Sequence, residues 1–196
     1  SVVAEFMQTH PQISLEADLS GRLGELGEEG IDLGLRIGDF NDANLIGRRL
    51  GQLGARFYAS PDYIARLGRP ETPETLQSHD FVLFRQAREN HITVSQRQAD
   101  GSTTQRQLTV KGRLTTNNAH LQMDAVIAGL GIGLLPAFMA GAAVAAGQLV
   151  PVLPDATVRA GDLWAVTPSR THMSSALRAF LDFLAERVRE HPWFVV

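Results

Sequence analysis

The sequence predicts an α/β fold built as two lobes with a cleft between them, on two observations. Helical and strand patterns alternate along the 196 residues, which favours largely parallel sheets covered by helices. Two extended stretches, near residues 76–80 and 149–153, separate a middle block from two flanking blocks. The composition, 44% hydrophobic and 20% charged, is that of an ordinary globular protein. Ligands often bind in the cleft between two such lobes.

The first third of the chain begins with a predicted amphipathic helix over Val2–Thr9, which ends before Pro11. Residues 13–19 alternate apolar and polar side chains, the period of a half-buried strand. Residues 22–29 predict a short helix with Gly30 at its C-terminal cap. A buried strand is then expected over residues 31–37, followed at once by a turn at Gly38.

Residues 45–60 predict an extended segment, and Ser60 and Pro61 then begin a helix as its cap and first residue. Residues 72–73 begin another short helix. In the middle third, residues 81–84 predict a buried strand. The short polar strands that follow, at 92–94, 105–110 and 113–115, are typical of an antiparallel addition with a turn at 100–101.

Residues 118–128 predict a helix with Leu121, Ala125 and Ile127 on its apolar side. The glycines at 129, 131 and 133 fail the spacing of a phosphate-binding loop, so a helix cap and tight strand packing are expected. An almost wholly apolar helix over 137–146, an extended crossing at 149–154 and a strand at 163–166 follow. Residues 174–189 predict an amphipathic terminal helix.

Composition excludes several function classes. The chain has no cysteine, which rules out thiol catalysis, disulfides and thiolate metal sites and fits a cytosolic protein. A net charge of −3 disfavours free-standing nucleic-acid binding. No apolar run approaches the roughly 18 residues that span a membrane. The six histidines are scattered and no nucleophile elbow is present, so we expect neither a metal, nor a cofactor, nor catalysis.

The candidate binding residues lie where predicted strands end. Thr116, Asn117 and Asn118 stand between a strand and the start of a helix, where side-chain caps and free backbone N–H groups can hold a carboxylate. A plain helix cap without a ligand is the alternative.

Two further pairs of residues follow predicted strands. Gly38, through its backbone, and Asp39 follow the strand of the first lobe, with a solvated turn as the alternative. Phe84 and Arg85 end the first strand of the middle block. Arg85 is suited to an acidic effector, although a surface arginine is the simpler interpretation.

The whole chain resembles the LysR-type transcriptional regulators. Residues 28–38 have the acidic pair, glycine, aspartate and arginine of one family segment, and Gly38 closes it. Four more segments match in the family's order, and together they cover nearly the whole chain: residues 45–51 with 58–63, 128–136, 147–153 and 166–170.

The resemblance implies an effector-binding domain with a type II periplasmic-binding-protein fold of two Rossmann-like lobes. Lobe I would comprise residues 1–76 and 154–196, and lobe II residues 77–153. The family's N-terminal helix-turn-helix, through which DNA would be bound, and the first strand of lobe I are expected upstream of Ser1.

The implied partners are a small-molecule effector, of which a carboxylate is one candidate, and a second copy in a homodimer or a tetramer, with no membrane association. In the family, the first-lobe helix and the strand at 13–19 pack against the second-lobe helix, here 118–128, of a partner. Burial of these elements in the chain's own core is the alternative.

Two other functions share this fold. A solute-binding protein of a transporter would require a secretory signal upstream, and an enzyme such as a transferase would require a catalytic constellation that the sequence does not display. The resemblance favours the cytoplasmic regulator over both.

Overall fold

The structure, a computed structural model, describes residues 2–19, 30–84, 91–168, 173–190 and 194–195. Its helices are α1 (Val2–Thr9), α2 (Pro61–Leu67), α3 (Ala119–Ile127), α4 (Ala137–Ala145) and α5 (Ser175–Glu190), with a 3₁₀ helix at Glu74–Ser78. Its strands are β1 (Gly34–Ile37), β2 (Leu45–Ala59), β3 (Asp80–Phe84), β4 (His91–Arg97), β5 (Thr103–Thr109), β6 (Lys111–Thr116), β7 (Ile132–Pro136), β8 (Val150–Val152), β9 (Ala156–Pro168) and β10 (Phe194–Val195).

The chain divides into two compact units. Unit 1 comprises residues 1–53 and 161–196, and unit 2 comprises residues 54–160. The chain therefore leaves unit 1 within β2 and returns to it within β9. Residues 54–76, which the sequence analysis assigned to lobe I, lie in unit 2 because Phe57, Tyr63 and Leu76 pack in one buried cluster with Phe81 and Ile132.

Unit 1 is organised around α5. Its apolar face, spaced for a helix, is buried against β2 and β9 in a cluster of Leu50, Ala165, Leu177, Leu181, Leu184, Ala185 and Val188. β1 pairs antiparallel with β9 from Gly34 opposite Val166 to Ile37 opposite Leu163. The fully buried Phe6 of α1 lies between the rings of Phe180 and Phe183 of α5.

Unit 2 contains the parallel pairing. β3 pairs parallel with β6 on one side and with β7 on the other. β2 pairs antiparallel with β7 and β8, and the β4–β5 hairpin joins β9 through β4. Helix α3 packs against β3, β6 and β7. The carboxyl ends of β3 and β6 consequently lie at one edge, beside the start of α3.

The α/β class is confirmed, and the predicted helices at 2–9, 118–128, 137–146 and 174–189 are observed to within one residue at each end. α1 has the predicted ends, and the predicted extended segment at 45–60 forms β2. Ser60 caps α2, with its hydroxyl accepting from the Tyr63 N–H at 3.2 Å. The predicted turn at 100–101 closes the β4–β5 hairpin. The predicted helix at 22–29 lies outside the described residues.

Four expectations about strands were wrong. Among the described ladders, parallel pairing is confined to β3 with β6 and β7, so the sheets are not largely parallel. Residues 113–115 belong to β6, which is parallel to β3 rather than part of an antiparallel addition. Residues 13–19 form no strand, since their alternation finds no pairing partner in the described part of the chain. The strand at 31–37 shortens to β1, whose Leu35 is 49% exposed.

Candidate functional site

Two of the candidate residues stand side by side at the end of the parallel strands in unit 2. Phe84 and Thr116 are register partners of β3 and β6. The Thr116 side chain is buried, at 8% exposure, whereas Phe84 is half-buried. Parallel strands bring their carboxyl ends to the same edge, which is where α/β folds bind ligands. Both residues were predicted at strand ends, and the β3–β6 register brings those two ends together.

The Thr116–Asn118 turn leads from β6 into α3. The Thr116 hydroxyl accepts a hydrogen bond from the Asn118 N–H at 3.0 Å. Asn118 is the N-cap of α3, and its side-chain oxygen accepts from the Leu121 N–H at 3.0 Å. Asn117 and Asn118 are both exposed. The cap interpretation therefore describes the geometry of the turn, and it leaves room for a ligand on its solvent side.

The electrostatics of this turn favour an anion. The first N–H groups of a helix have no acceptor within the helix, and they carry the positive end of the helix dipole. The Asn118 side chain satisfies the Leu121 amide, which leaves those of Ala119 and His120 in the first turn. No acidic side chain lies in the first turn of α3. The arrangement is suited to hold a carboxylate by backbone donors and neutral side chains.

Sequence reasoning missed Gln122. Gln122 is buried, at 2% exposure, whereas the apolar Leu121 beside it is 50% exposed. The Gln122 side-chain nitrogen donates to the carbonyl oxygens of Val82, at 2.9 Å, and Leu134, at 3.5 Å. The available signal was the four-residue spacing of Asn118, Gln122 and Val126, which places them on one helix face.

The Gly38 turn lies in unit 1. Gly38 has φ 121°, a conformation that side chains rarely adopt. Its N–H donates to the Asp162 carbonyl at 2.9 Å, and its own carbonyl accepts from the Trp164 indole N–H at 3.1 Å. Both backbone groups through which Gly38 was expected to contact an effector thus have partners within unit 1. The adjacent Asp39 is exposed.

The seven candidate residues therefore fall into three sets. Phe84, Thr116, Asn117 and Asn118 occupy one edge of unit 2, and Gly38 and Asp39 form a turn of unit 1. Arg85 lies outside the described residues.

A second polar cluster in unit 2 joins α2 to the start of β3. The buried Tyr63 hydroxyl accepts from the Asp80 N–H at 3.1 Å and lies 3.2 Å from His79 Nδ1. Burial raises the pKa of Tyr63 above its ordinary value. Burial also lowers the pKa of His79, and the Asp80 carboxylate opposes that shift. Both shifts favour the neutral form of the side chain, which is typical of a structural hydrogen-bond network.

The described residues give no sign of two other kinds of site. Within them, no group of three or more His, Asp or Glu side chains is placed to hold a metal ion. No helix in the described ranges is long and apolar enough to cross a membrane.

Comparison with known proteins gives a consistent result. The family model described as "LysR substrate binding domain" matches residues 1–189. An uncharacterised HTH-type transcriptional regulator of Haemophilus influenzae is 33% identical over 168 residues, which are 86% of this chain and 57% of that protein.

Two solved structures are similar in fold. The regulatory domain of CrgA, a LysR-type transcriptional regulator from Neisseria meningitidis, has a TM-score of 0.75 at 29% identity and covers 95% of this chain and 89% of its own. Full-length AphB, a Vibrio cholerae virulence activator, has a TM-score of 0.74 at 25% identity and covers 95% of this chain and 62% of its own. The chain thus spans a little over half the length of the Haemophilus relative, but most of an isolated regulatory domain.

Proposed function

This chain belongs to the LysR substrate-binding domain family, and we propose that it senses a small metabolite for a bacterial LysR-type regulator that binds DNA through a separate N-terminal domain. The observation that carries the proposal is the match of the family model to residues 1–189. The relatives are named as transcriptional regulators, so the transporter solute-binding alternative is not favoured.

The proposed effector site includes the Thr116–Asn118 turn. The Thr116 hydroxyl accepts from the Asn118 N–H, so its own O–H hydrogen is available to a ligand. The exposed Asn117 side chain and the amides of Ala119 and His120 would add donors, which suit a carboxylate. Phe84 would supply apolar contact beside Thr116, since the two are register partners.

The lobe I contribution to the site is proposed at the Gly38–Asp39 turn, and Arg85 is proposed as a partner for an acidic effector. Asp39 is exposed, so its carboxylate would select against anionic groups nearby or accept from a hydroxyl or amine of the effector. Gly38 would contribute shape rather than hydrogen bonds, because both of its backbone polar groups are occupied.

Effector binding would act by linkage. A ligand shifts an equilibrium between two states only by the difference in its affinity for them. We propose that the effector binds the two arrangements of the full-length regulator unequally and so changes the placement of its DNA-binding domains. The domain itself is proposed to carry out no reaction and to act in the cytoplasm.

Association of two copies is part of the proposal. In unit 2 a groove of about 640 Å³ runs between α3 and α4, and its apolar lining includes Met123, Ile127 and Met139. In unit 1 Val3 is 39% exposed and Leu19 is 93% exposed. We propose that the Val3 face of α1 and the 13–19 segment of one copy cover this groove of another, in a dimer or a tetramer. Sedimentation of a monomer at tens of micromolar would count against it.

The test begins with a thermal-shift screen of small aliphatic carboxylates and aromatic acids, followed by calorimetry on the best of them. The Asn117→Ala, Asn118→Ala double variant should weaken binding about tenfold or more, as expected when donors to a charged group are lost. Unchanged affinity would exclude the turn as the binding site.

A matched pair of variants separates charge from helix capping. Both Asn118→Asp and Asn118→Ser retain a good N-cap. Asn118→Asp adds a negative charge and should weaken carboxylate binding far more than Asn118→Ser. Equal effects of the two variants would argue against an anionic effector at this turn. Turnover of any screened compound by the purified domain would overturn the assignment as a sensor.

A further inference from the structure

Gln122 joins the helix of the proposed site to the strands beneath it. We infer that Gln122 is a positioning residue that fixes the first turn of α3, and with it Asn118, relative to the end of β3. The inference rests on the proposed function, because the turn that Gln122 would hold in one geometry is the proposed effector-binding turn.

The side chain is buried among acceptors. Gln122 is 2% exposed, and the end of its side chain faces the carbonyl oxygens of Val82 and Leu134 at 2.9 and 3.5 Å. Because both neighbours are acceptors, the nitrogen, and not the oxygen, must point towards them. One amide group therefore spans β3 and β7, the two parallel strands on which α3 packs.

The contact falls at an irregularity in the sheet. The β3–β6 register shifts between Asp80 and Val82. The extra residue lies on β6, where three steps from Lys111 to Leu114 oppose two on β3, and Val82 is the first β3 residue after the shift. Gln122 supplies a donor to the Val82 carbonyl at this place. An apolar side chain in its position would fill the space but remove this donor from the buried Val82.

The contact is transmitted to the cap through the helix. The Gln122 backbone N–H donates to the Asn118 carbonyl at 3.0 Å, which is the first helical hydrogen bond after the cap. Gln122 is thus bonded to β3 by its side chain and to the cap residue by its backbone. One turn further on, α3 approaches β7 so closely that a β carbon on Gly133 would lie 2.5 Å from Val126 Cγ2. Gln122 and Val126 thus hold α3 at two points on one face.

The first test needs no substitution. In an NMR experiment on the unmodified chain, the side-chain amide protons of Gln122 should exchange with solvent at least about tenfold more slowly than those of the exposed Gln107, because they are buried and bonded. Equal exchange rates would overturn the inference, whatever the variants show.

The second test replaces Gln122 with methionine, which has a similar length and no donor. We expect the Asn118 and Leu121 amides, which are bonded within the turn, to lose about tenfold in hydrogen-exchange protection relative to the Val94 amide of β4. The control is Leu76→Ala, which removes buried apolar atoms of unit 2 and should lower the protection of Val94 without this selective loss.

A uniform loss of protection in Gln122→Met would mean that the residue serves general stability only and would overturn the positioning role. Neither test uses a ligand, so a failed effector screen leaves these results unaffected. Conversely, a failed positioning test leaves the proposed sensor function open.

Discussion

The backbone of Gly38 passes so close to Gly161 that a β carbon on Gly161 would lie 2.8 Å from the Gly38 nitrogen. Gly161 itself has φ 134°. Two glycines, 123 positions apart in the chain, therefore meet where β1 ends beside β9, and this close approach allows the Gly38 N–H to reach the Asp162 carbonyl.

The first prediction concerns this approach. Gly161→Ala should lower the free energy of unfolding by about 1–3 kcal/mol, because the new methyl group meets backbone atoms and the residue keeps an unfavourable φ. Gly54→Ala is the control, since a β carbon at Gly54 meets nothing within 4 Å. Urea denaturation of both variants measures the difference, and equal midpoints would contradict the prediction.

The second prediction compares two glycines of unit 2. Gly141→Ala should raise the free energy of unfolding by about 0.5–1 kcal/mol, because alanine has a higher helix propensity than glycine and position 141 is exposed in the middle of α4. Gly133→Ala should destabilise, because its β carbon would lie 2.5 Å from Val126 Cγ2. The prediction is tested by the order of the melting temperatures, and a reversed order would refute the packing of α3 on β7.

The third prediction concerns Phe6. Phe6→Ala should lower the free energy of unfolding by about 3–5 kcal/mol, because it removes a fully buried ring. The centroid of this ring lies 4.9 Å from that of Phe180 and 5.4 Å from that of Phe183. Gln8→Ala, at an exposed position of the same helix, should change stability by less than about 1 kcal/mol. Similar losses measured in guanidinium chloride would mean that α1 does not dock through Phe6.

The fourth prediction is a pH dependence. The pKa of His79 is lowered in the folded chain, mainly by burial, so the folded state binds fewer protons there than the unfolded state. Its contribution to stability is complete above the unfolded pKa of about 6.5 and is lost as the pH falls through the folded pKa.

Denaturation curves collected above and below the unfolded pKa of about 6.5 test this dependence. The parent chain should lose more stability on acidification than His79→Gln. The exposed Gln107 provides the control, since Gln107→Ala changes no titratable group and should leave the pH profile of the parent chain unaltered. Identical pH profiles for the parent chain and His79→Gln would exclude the titration of His79 as the cause.

The fifth prediction separates the two asparagines. Asn118→Ala should lower stability by about 1 kcal/mol, because the Leu121 amide loses its cap. Asn117→Ala should change stability by no more than about 0.5 kcal/mol, since its side chain is exposed. Thermal unfolding checks both, and a large effect of Asn117→Ala would show a structural role that the described contacts do not include.

The starts of helices could be predicted from the sequence, because capping signals are local. Ser60 before Pro61 and Asn118 before an apolar run are capping chemistry, which acts over three or four residues, and both were placed correctly. Whether an alternating segment becomes a strand depends on a partner far along the chain. Residues 13–19 alternate but have no such partner among the described residues, so the predicted strand was wrong.

The candidate site shows the same division. The sequence places Thr116 at a strand end, but only the β3–β6 register makes it the neighbour of Phe84. Likewise, the period of α3 is visible in the sequence, but it does not show that Gln122 is buried and Leu121 exposed. The periodicity of the sequence does not show that the Val82 and Leu134 carbonyls lie beneath α3, where they accept from the buried Gln122 amide.

The indole of Trp164 gives the Gly38 turn an optical reporter of its own. The sequence contains two tryptophans, Trp164 and Trp193, so Trp193→Phe would leave a single emitter. That emitter donates to the Gly38 carbonyl and lies 5.4 Å from the Phe40 ring. Indole emission is sensitive to the polarity and hydrogen bonding of its surroundings. A rearrangement of this turn can therefore be followed by the wavelength of its fluorescence, without attaching a dye.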